Sequence, residues 1–223
     1  MNSSNLIKQI RSKERVANHG EVFTSIREVN NMLDMVKTET YRIDSRFLEP
    51  ACGSGMFLIE VLKRKLDEVV RNYKSSKNEF KKYMCLAISS IYGVEILKDN
   101  VLECRKNLLD VSMEYYETVF NESIDEKVFN VIDYLLSRNI IHGNALTLMT
   151  VDDSPKPIVF SEWSKVNSTK FKRRDYTLSE LLNNSPIEGR NLFSDLDEEI
   201  FIPKPILEYP VCHYLEIGDA NVK

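Results

Sequence analysis

The chain is poor in the residues that punctuate a fold: among 223 residues there are only seven glycines, seven prolines, no two of them adjacent, and one tryptophan. Its four cysteines, Cys52, Cys85, Cys104 and Cys212, contain no CxxC pair and lie in or beside apolar segments. That pattern points away from a disulfide framework or a cysteine zinc site and predicts buried, reduced thiols. The three histidines, His19, His142 and His213, are far apart and make no ligand spacing, so no metal centre is expected. No apolar run is long enough to span a bilayer, and the start MNSSNLIKQIRSKERV has no signal-peptide stretch. The expectation is a cytoplasmic protein without membrane contact. A net charge of -4 and a pI near 5.6 argue against gripping nucleic acid with the whole surface, so any contact with DNA is a local patch.

A chain that is 43% hydrophobic and 29% charged has the apolar content for one substantial core with an appendage. Residues 3–17 read as a polar helix, and TSIREVNNMLDMVKTE as a second, capped by Thr24 or Ser25, with Ile26, Val29, Met32, Leu33 and Val36 at helical intervals. A strand over 46–49, a helix over about 55–73 and a polar break, KSSKNEF, come next. SSIYGVEI reads as a strand, LKDNVLECRKNLLDVSMEYY as an amphipathic helix, VFNVIDYLLSRN as helical, IIHGNAL as a third strand and loop, and PIVFSEW as a fourth strand. Strands alternating with helices imply a parallel sheet with helices on both faces. Beyond Phe160 the pattern changes to two strands joined by a turn at Asn167 and Ser168, a short helix at LSELLNN, and a tail over 185–223 of little periodicity. The expected organisation is an N-terminal helical segment over 1–45, an α/β domain over 46–165 and a hairpin with irregular appendage over 166–223.

Two of the seven glycines, Gly53 and Gly55, stand between an apolar strand and a helix start in EPACGSG, residues 49–55. Glycines there let a ligand approach the backbone at a helix N-terminus, where N–H groups are unpaired. The string resembles motif I of the adenine-N6 DNA methyltransferases of restriction-modification systems. The resemblance implies a Rossmann-like, doubly wound sheet binding S-adenosylmethionine (SAM), with Glu49, Pro50, Ala51, Gly53 and Gly55 at the methionine part and Glu49 accepting from its ammonium. GVEI ends its strand in Glu95, forty-two positions after Gly53 (95 minus 53), followed by Ile96. An acid there takes the ribose hydroxyls in doubly wound nucleotide binders. The gap exceeds the roughly 20 residues of a dinucleotide fingerprint, which disfavours a nicotinamide enzyme. HGNAL, with Asn144 and Ala145, is similar to the family's G-D-A-L segment, whose acid meets the adenine amine; here an uncharged amide replaces it. HGEVFTS, with Phe23 and Thr24, resembles the G-x-x-F-T-P segment that covers the cofactor. Phe23 is read alternatively as a core aromatic ahead of a helix cap.

The family's D/N/S-P-P-Y/F/W motif requires adjacent prolines and is missing. Seventeen residues after Asn144 (161 minus 144) stands SEWS, in which Ser161, Glu162 and Trp163 are the degenerate candidates for the catalytic groups. The alternative is a plain strand end with a solvated Glu162 and a buried tryptophan. Fewer than sixty residues follow, so DNA reading is expected to need a separate target-recognition or restriction subunit. Lys170, Lys172, Arg173 and Arg174 are the candidate phosphate contacts, or simply a solvated face. The resemblance thus implies a DNA methyltransferase or its subunit. The alternatives are a catalytically inactive SAM-binding or scaffolding relative in a defence complex and, more remotely, a methyltransferase for RNA, protein or a small molecule.

Overall fold

Ser25 opens the first element. Its side chain accepts from the Glu28 N–H, the Glu28 carboxylate returns to the Ser25 N–H, and this capping box starts helix α1, Ile26–Met35. The computed structural model describes residues 24–183 and 203–218. The expected helix over 3–17, Phe23 and most of the tail lie outside the described residues. A short helical turn, α2 (Lys37–Thr40), leads into strand β1 (Phe47–Glu49) and helix α3 (Met56–Tyr73). Helix α4 (Lys77–Ser89), strand β2 (Ile91–Glu95), helices α5 (Lys98–Phe120) and α6 (Glu126–Asn139), and strand β3 (Ile140–Asn144) continue the chain.

The chain is of mixed α/β class. Strands β1, β2 and β3 pair in parallel and in sequence order, and a two-residue β4 (Met149–Thr150) adds antiparallel to β3. The register aligns Phe47 with Ile91 and Gly93 with Ile140, which gives all four to one face, while Leu48, Tyr92, Val94 and Ile141 share the other. The first face lies in the main core with buried residues of α3 to α6, and α1 joins it through Val29 and Leu33. The β1–α3 loop and α3 come very close: a Cβ on Gly93 would stand 2.9 Å from Cys52 Sγ of the loop and 3.1 Å from Leu58 Cδ1 of the helix. The second face is covered differently. Tyr92 and Val94 pack against Ile158, Phe160 and Leu178 in a smaller cluster. The four long helices therefore serve one face, where helices on both had been expected.

The expected fourth parallel strand is a hairpin arm. β5 (Val159–Lys165) pairs antiparallel with β6 (Lys170–Thr177) through the expected turn, followed by α7 (Leu178–Asn183). The short strands β7 (Leu207–Glu208) and β8 (Cys212–His213) both pair with β6. Phe160 and Trp163 fall on opposite faces of β5 and both are buried, Phe160 in the smaller cluster and Trp163 in the main core. Lys65 is buried in the entrance to β1, its ammonium donating to the carbonyls of Arg42 and Ile43 at 3.1 Å each, to Ser90 Oγ at 2.9 Å, and to the Ser45 carbonyl. Burial pushes its pKa down to about 7.

Candidate functional site

The loop between β1 and α3 turns on its glycines. Cys52 returns the chain to the sheet, its N–H donating to the Val94 carbonyl at 3.0 Å, and Gly55 N–H closes the turn onto Cys52 O at 2.8 Å. Gly53 has φ 52° and Gly55 φ 94°, backbone that side-chain-bearing residues rarely adopt. Gly55 is also the N-cap of α3 and brings no side-chain acceptor, and the helix's first turn carries no acid. The first N–H groups of an 18-residue helix, with the positive end of its dipole, thus open beside the loop without a side-chain cap. Two side chains of α5 fix the loop from behind: Asn107 Nδ2 donates to Ser54 O at 3.0 Å, and Cys104 Sγ fills the space where a Gly55 Cβ would stand.

Two carboxylates flank it. Glu95, buried at the end of β2, accepts from Gly53 N–H at 2.8 Å through one oxygen and from Leu97 N–H at 2.9 Å through the other. Each carboxylate oxygen keeps a further acceptor direction. Glu49, at the end of β1, has its carboxyl pushed up by burial, opposed by a hydrogen bond from the Ala51 backbone. Pro50 and Ala51 are exposed at the turn. The parallel strands end side by side, which brings Glu49, Glu95 and Asn144 to the same end of the sheet. Asn144 Oδ1 accepts from Leu146 N–H at 2.9 Å and Thr147 N–H at 3.4 Å, an Asx turn that an aspartate would close equally well. Beyond the strand ends, Ile96 is 45% and Leu146 95% exposed, two large apolar side chains left uncovered, with Ala145 half-buried between. Thr24 is exposed just ahead of the α1 cap. No protein-family model, no curated protein and no solved structure matches the chain. Among the described residues no cluster of three or more His, Cys, Asp or Glu has metal-binding geometry.

The SEWS residues do not join this group. Ser161 is fully buried in mid-β5, its hydroxyl donating to Asp175 Oδ1 at 2.8 Å and its carbonyl accepting from Tyr92 OH at 3.0 Å. Trp163 is buried, edge-on to Tyr134, with the Arg173 guanidinium 5.5 Å from its ring centre. Glu162 pairs with Arg46 and, at 3.8 Å, with Arg174. The segment is thus neither a strand end nor a solvated acid. The basic cluster is divided as well. Arg173 is buried and bonded to both Asp175 oxygens at 2.7 and 2.6 Å and to Tyr134 OH at 2.7 Å, with Tyr209 beneath it. Lys172 and Arg174 share Glu208, and Lys170 is exposed at the start of β6. Alternation along β6 turns Arg173 inward, so four consecutive-looking cations do not form one patch.

Sequence reasoning missed Cys104, Asn107 and the Leu97 N–H as supports of the loop. Cys104 and Asn107 stand three apart on one face of α5, and that spacing was their only signal.

Proposed function

We propose that the chain binds SAM at the 49–55 loop and forms the cofactor-binding part of an adenine-N6 DNA methyltransferase of restriction-modification type, working in the cytoplasm with a separate target-recognition or restriction subunit. The observation that carries this reading is Glu95: a buried carboxylate locked by the loop's own Gly53 N–H, with a spare acceptor direction on each oxygen for a diol. On this reading the parallel strands are the first half of a Rossmann-like sheet. Glu49 accepts from the cofactor's ammonium, Glu95 from its ribose hydroxyls, and Ile96 and Ala145 border the adenine with Asn144 at its amine. The uncapped start of α3 favours the carboxylate. Bound SAM supplies a methyl group on a sulfonium, and this chain's residues hold and orient it. They also keep the loop backbone close enough for contact, which a side chain at Gly53 prevents.

A second reading has an observation of its own. Ser161 and Trp163 are spent on the interior of the hairpin, which favours a SAM-binding scaffold that transfers no methyl by itself. Calorimetric titration with SAM and S-adenosylhomocysteine tests the shared claim: the chain binds both, and Gly53→Val abolishes binding while circular dichroism stays unchanged. No binding at millimolar cofactor removes both readings. Radiolabelled methyl transfer to unmethylated DNA separates them, the isolated chain being inactive if it is a scaffold.

A further inference from the structure

The hairpin covers the second face of the sheet unevenly. On β2, Tyr92 is closed over by Phe160, whose ring centre lies 5.2 Å away, while Leu48, its neighbour on β1 and on the same face, stays 40% exposed. Between β1 and the hairpin this leaves a hollow of about 330 Å³ walled by Leu48, Tyr92, Phe160, Leu181 and Pro203. Ligand cavities run from roughly 300 to 1,000 Å³ and are mostly apolar with a few polar groups, so a hollow at the small end of that range suits a short chain or a single ring.

One rim of the hollow is charged. Arg46, just ahead of β1, and Glu162 of β5 both line it and pair with each other. The charges there do not cancel. Glu162 takes Arg46 and, at 3.8 Å, Arg174, and Arg174 in turn shares Glu208 with Lys172. Three cations thus stand on two acids, one positive charge in excess. Arg46 is the reachable member: its side chain is 60% exposed, and among the described residues its guanidinium spends only Nη2, on Glu162. A guanidinium carries five N–H donors in a planar fork, so most of its capacity is unused.

We propose that this hollow binds an amphipathic monocarboxylate. The apolar body fills the space over Leu48, and the carboxylate meets Arg46 at the rim beside Glu162. A planar fork pairs with a carboxylate through two parallel hydrogen bonds, and a single negative charge matches the single excess cation. The contact with the walls is apolar burial and needs no ring face, so the edge-to-face packing of Tyr92 and Phe160 is left as it stands. The site borders residues 46–48, ahead of the glycine loop, and does not depend on how that loop functions.

Calorimetric titration of the whole chain with octanoate should saturate at one site. Hexanoate, two methylenes shorter, should bind about tenfold more weakly. Octanol and octylamine, which keep the chain and lose or reverse the charge, should also bind more weakly than octanoate. Arg46→Gln should weaken octanoate by about tenfold and leave octanol unchanged, which a merely structural Arg46 would not do. Leu48→Trp, which fills the hollow, should abolish binding with its circular dichroism unchanged; Leu181→Trp fills it from the opposite wall should the first variant fail to fold. Gly53→Val should bind octanoate as the parent does. The proposal is overturned by the absence of saturation at millimolar octanoate, by octanol or octylamine binding as tightly, by equal affinity in Arg46→Gln, by folded tryptophan variants that bind as before, or by loss of octanoate in Gly53→Val. Octanoate binding in a chain that fails to bind SAM keeps this proposal and removes the one for the loop.

Discussion

Gly55 carries two separable demands, and a substitution resolves them. At φ 94° it occupies backbone that costs an L-residue about 1–2 kcal/mol. A Cβ built there also meets Cys104 Sγ at 2.7 Å, well inside contact distance, with the Cys104 Cα and Cβ at 3.5 Å. Overpacking of this kind costs about 1–3 kcal/mol. Gly55→Ala should therefore lose about 2–5 kcal/mol, measured by urea unfolding followed by circular dichroism. Cys104→Ala removes the sulfur and leaves the Cα and Cβ in ordinary contact, at a cost of its own from the lost buried atom. In the double variant the overlap is relieved while the dihedral cost stays. The combined loss should thus fall short of the sum of the single losses by about 1–3 kcal/mol. Additivity within about 0.5 kcal/mol, or a Gly55→Ala chain as stable as the parent, would refute the reasoning that Cys104 is packed tightly against Gly55.

Glu95→Gln keeps one oxygen where two N–H groups are now served, so Gly53 or Leu97 loses its acceptor; the variant should be less stable by about 1–2 kcal/mol and bind SAM more weakly, by unfolding and calorimetry. Arg173→Ala leaves the buried Asp175 carboxylate short of its main partner and should cost about 3–5 kcal/mol, while Lys170→Ala, at an exposed position, should stay within about 0.5 kcal/mol. Lys65 supplies a pH test. Burial lowers its pKa to about 7, so between that pH and the ordinary lysine value the unfolded chain binds the proton that the folded chain has released, and stability gains from this group as pH rises. Lys65→Met should remove that rise from unfolding measurements made between about pH 7 and 10.

What the sequence made legible follows the strength of local rules. The cap at Ser25, the helix after Gly55, the Gly53–Gly55 turn and the hairpin about Asn167 are each set by residues within a few positions, and each stands as expected. Helix α4 did not. KSSKNEF reads as a break because serines and lysines dominate it, yet Ser76 caps a helix from Lys77 by accepting from Glu79 N–H. The S-x-x-E spacing that announces such a cap was there to be read. The fate of β5 was harder, because periodicity identifies a strand but not its partner. Its pairing with β6 was legible in the turn, but its place outside the parallel sheet and the Ser161–Asp175–Arg173 network, with Ser161 fourteen positions before Asp175, are stated by no local pattern. At the loop, the glycines were visible as glycines, whereas the α5 residues that make them obligatory were visible only as a spacing.

Topology and site chemistry converge on one edge of the sheet. The strands run β1, β2, β3 away from the loop, each crossover laying its helices on the same face, so β1 is the edge strand of the described sheet. The carboxyl ends of β1 and β2 carry the glycine loop, Glu49 and Glu95 at this edge. Leu48, which faces the smaller cluster side, is 40% exposed there, and an apolar hollow of about 330 Å³ runs beside it between β1 and the hairpin. The hairpin itself is pinned by Tyr92 OH on the Ser161 carbonyl and by Arg173 on Tyr134 OH of α6, so it is fixed in place as a wall of that hollow. In the function proposed, groups that handle the base to be methylated therefore approach along the β1 edge and past the glycine loop. They do not come from Ser161 or Trp163, whose removal should change stability before it changes cofactor affinity.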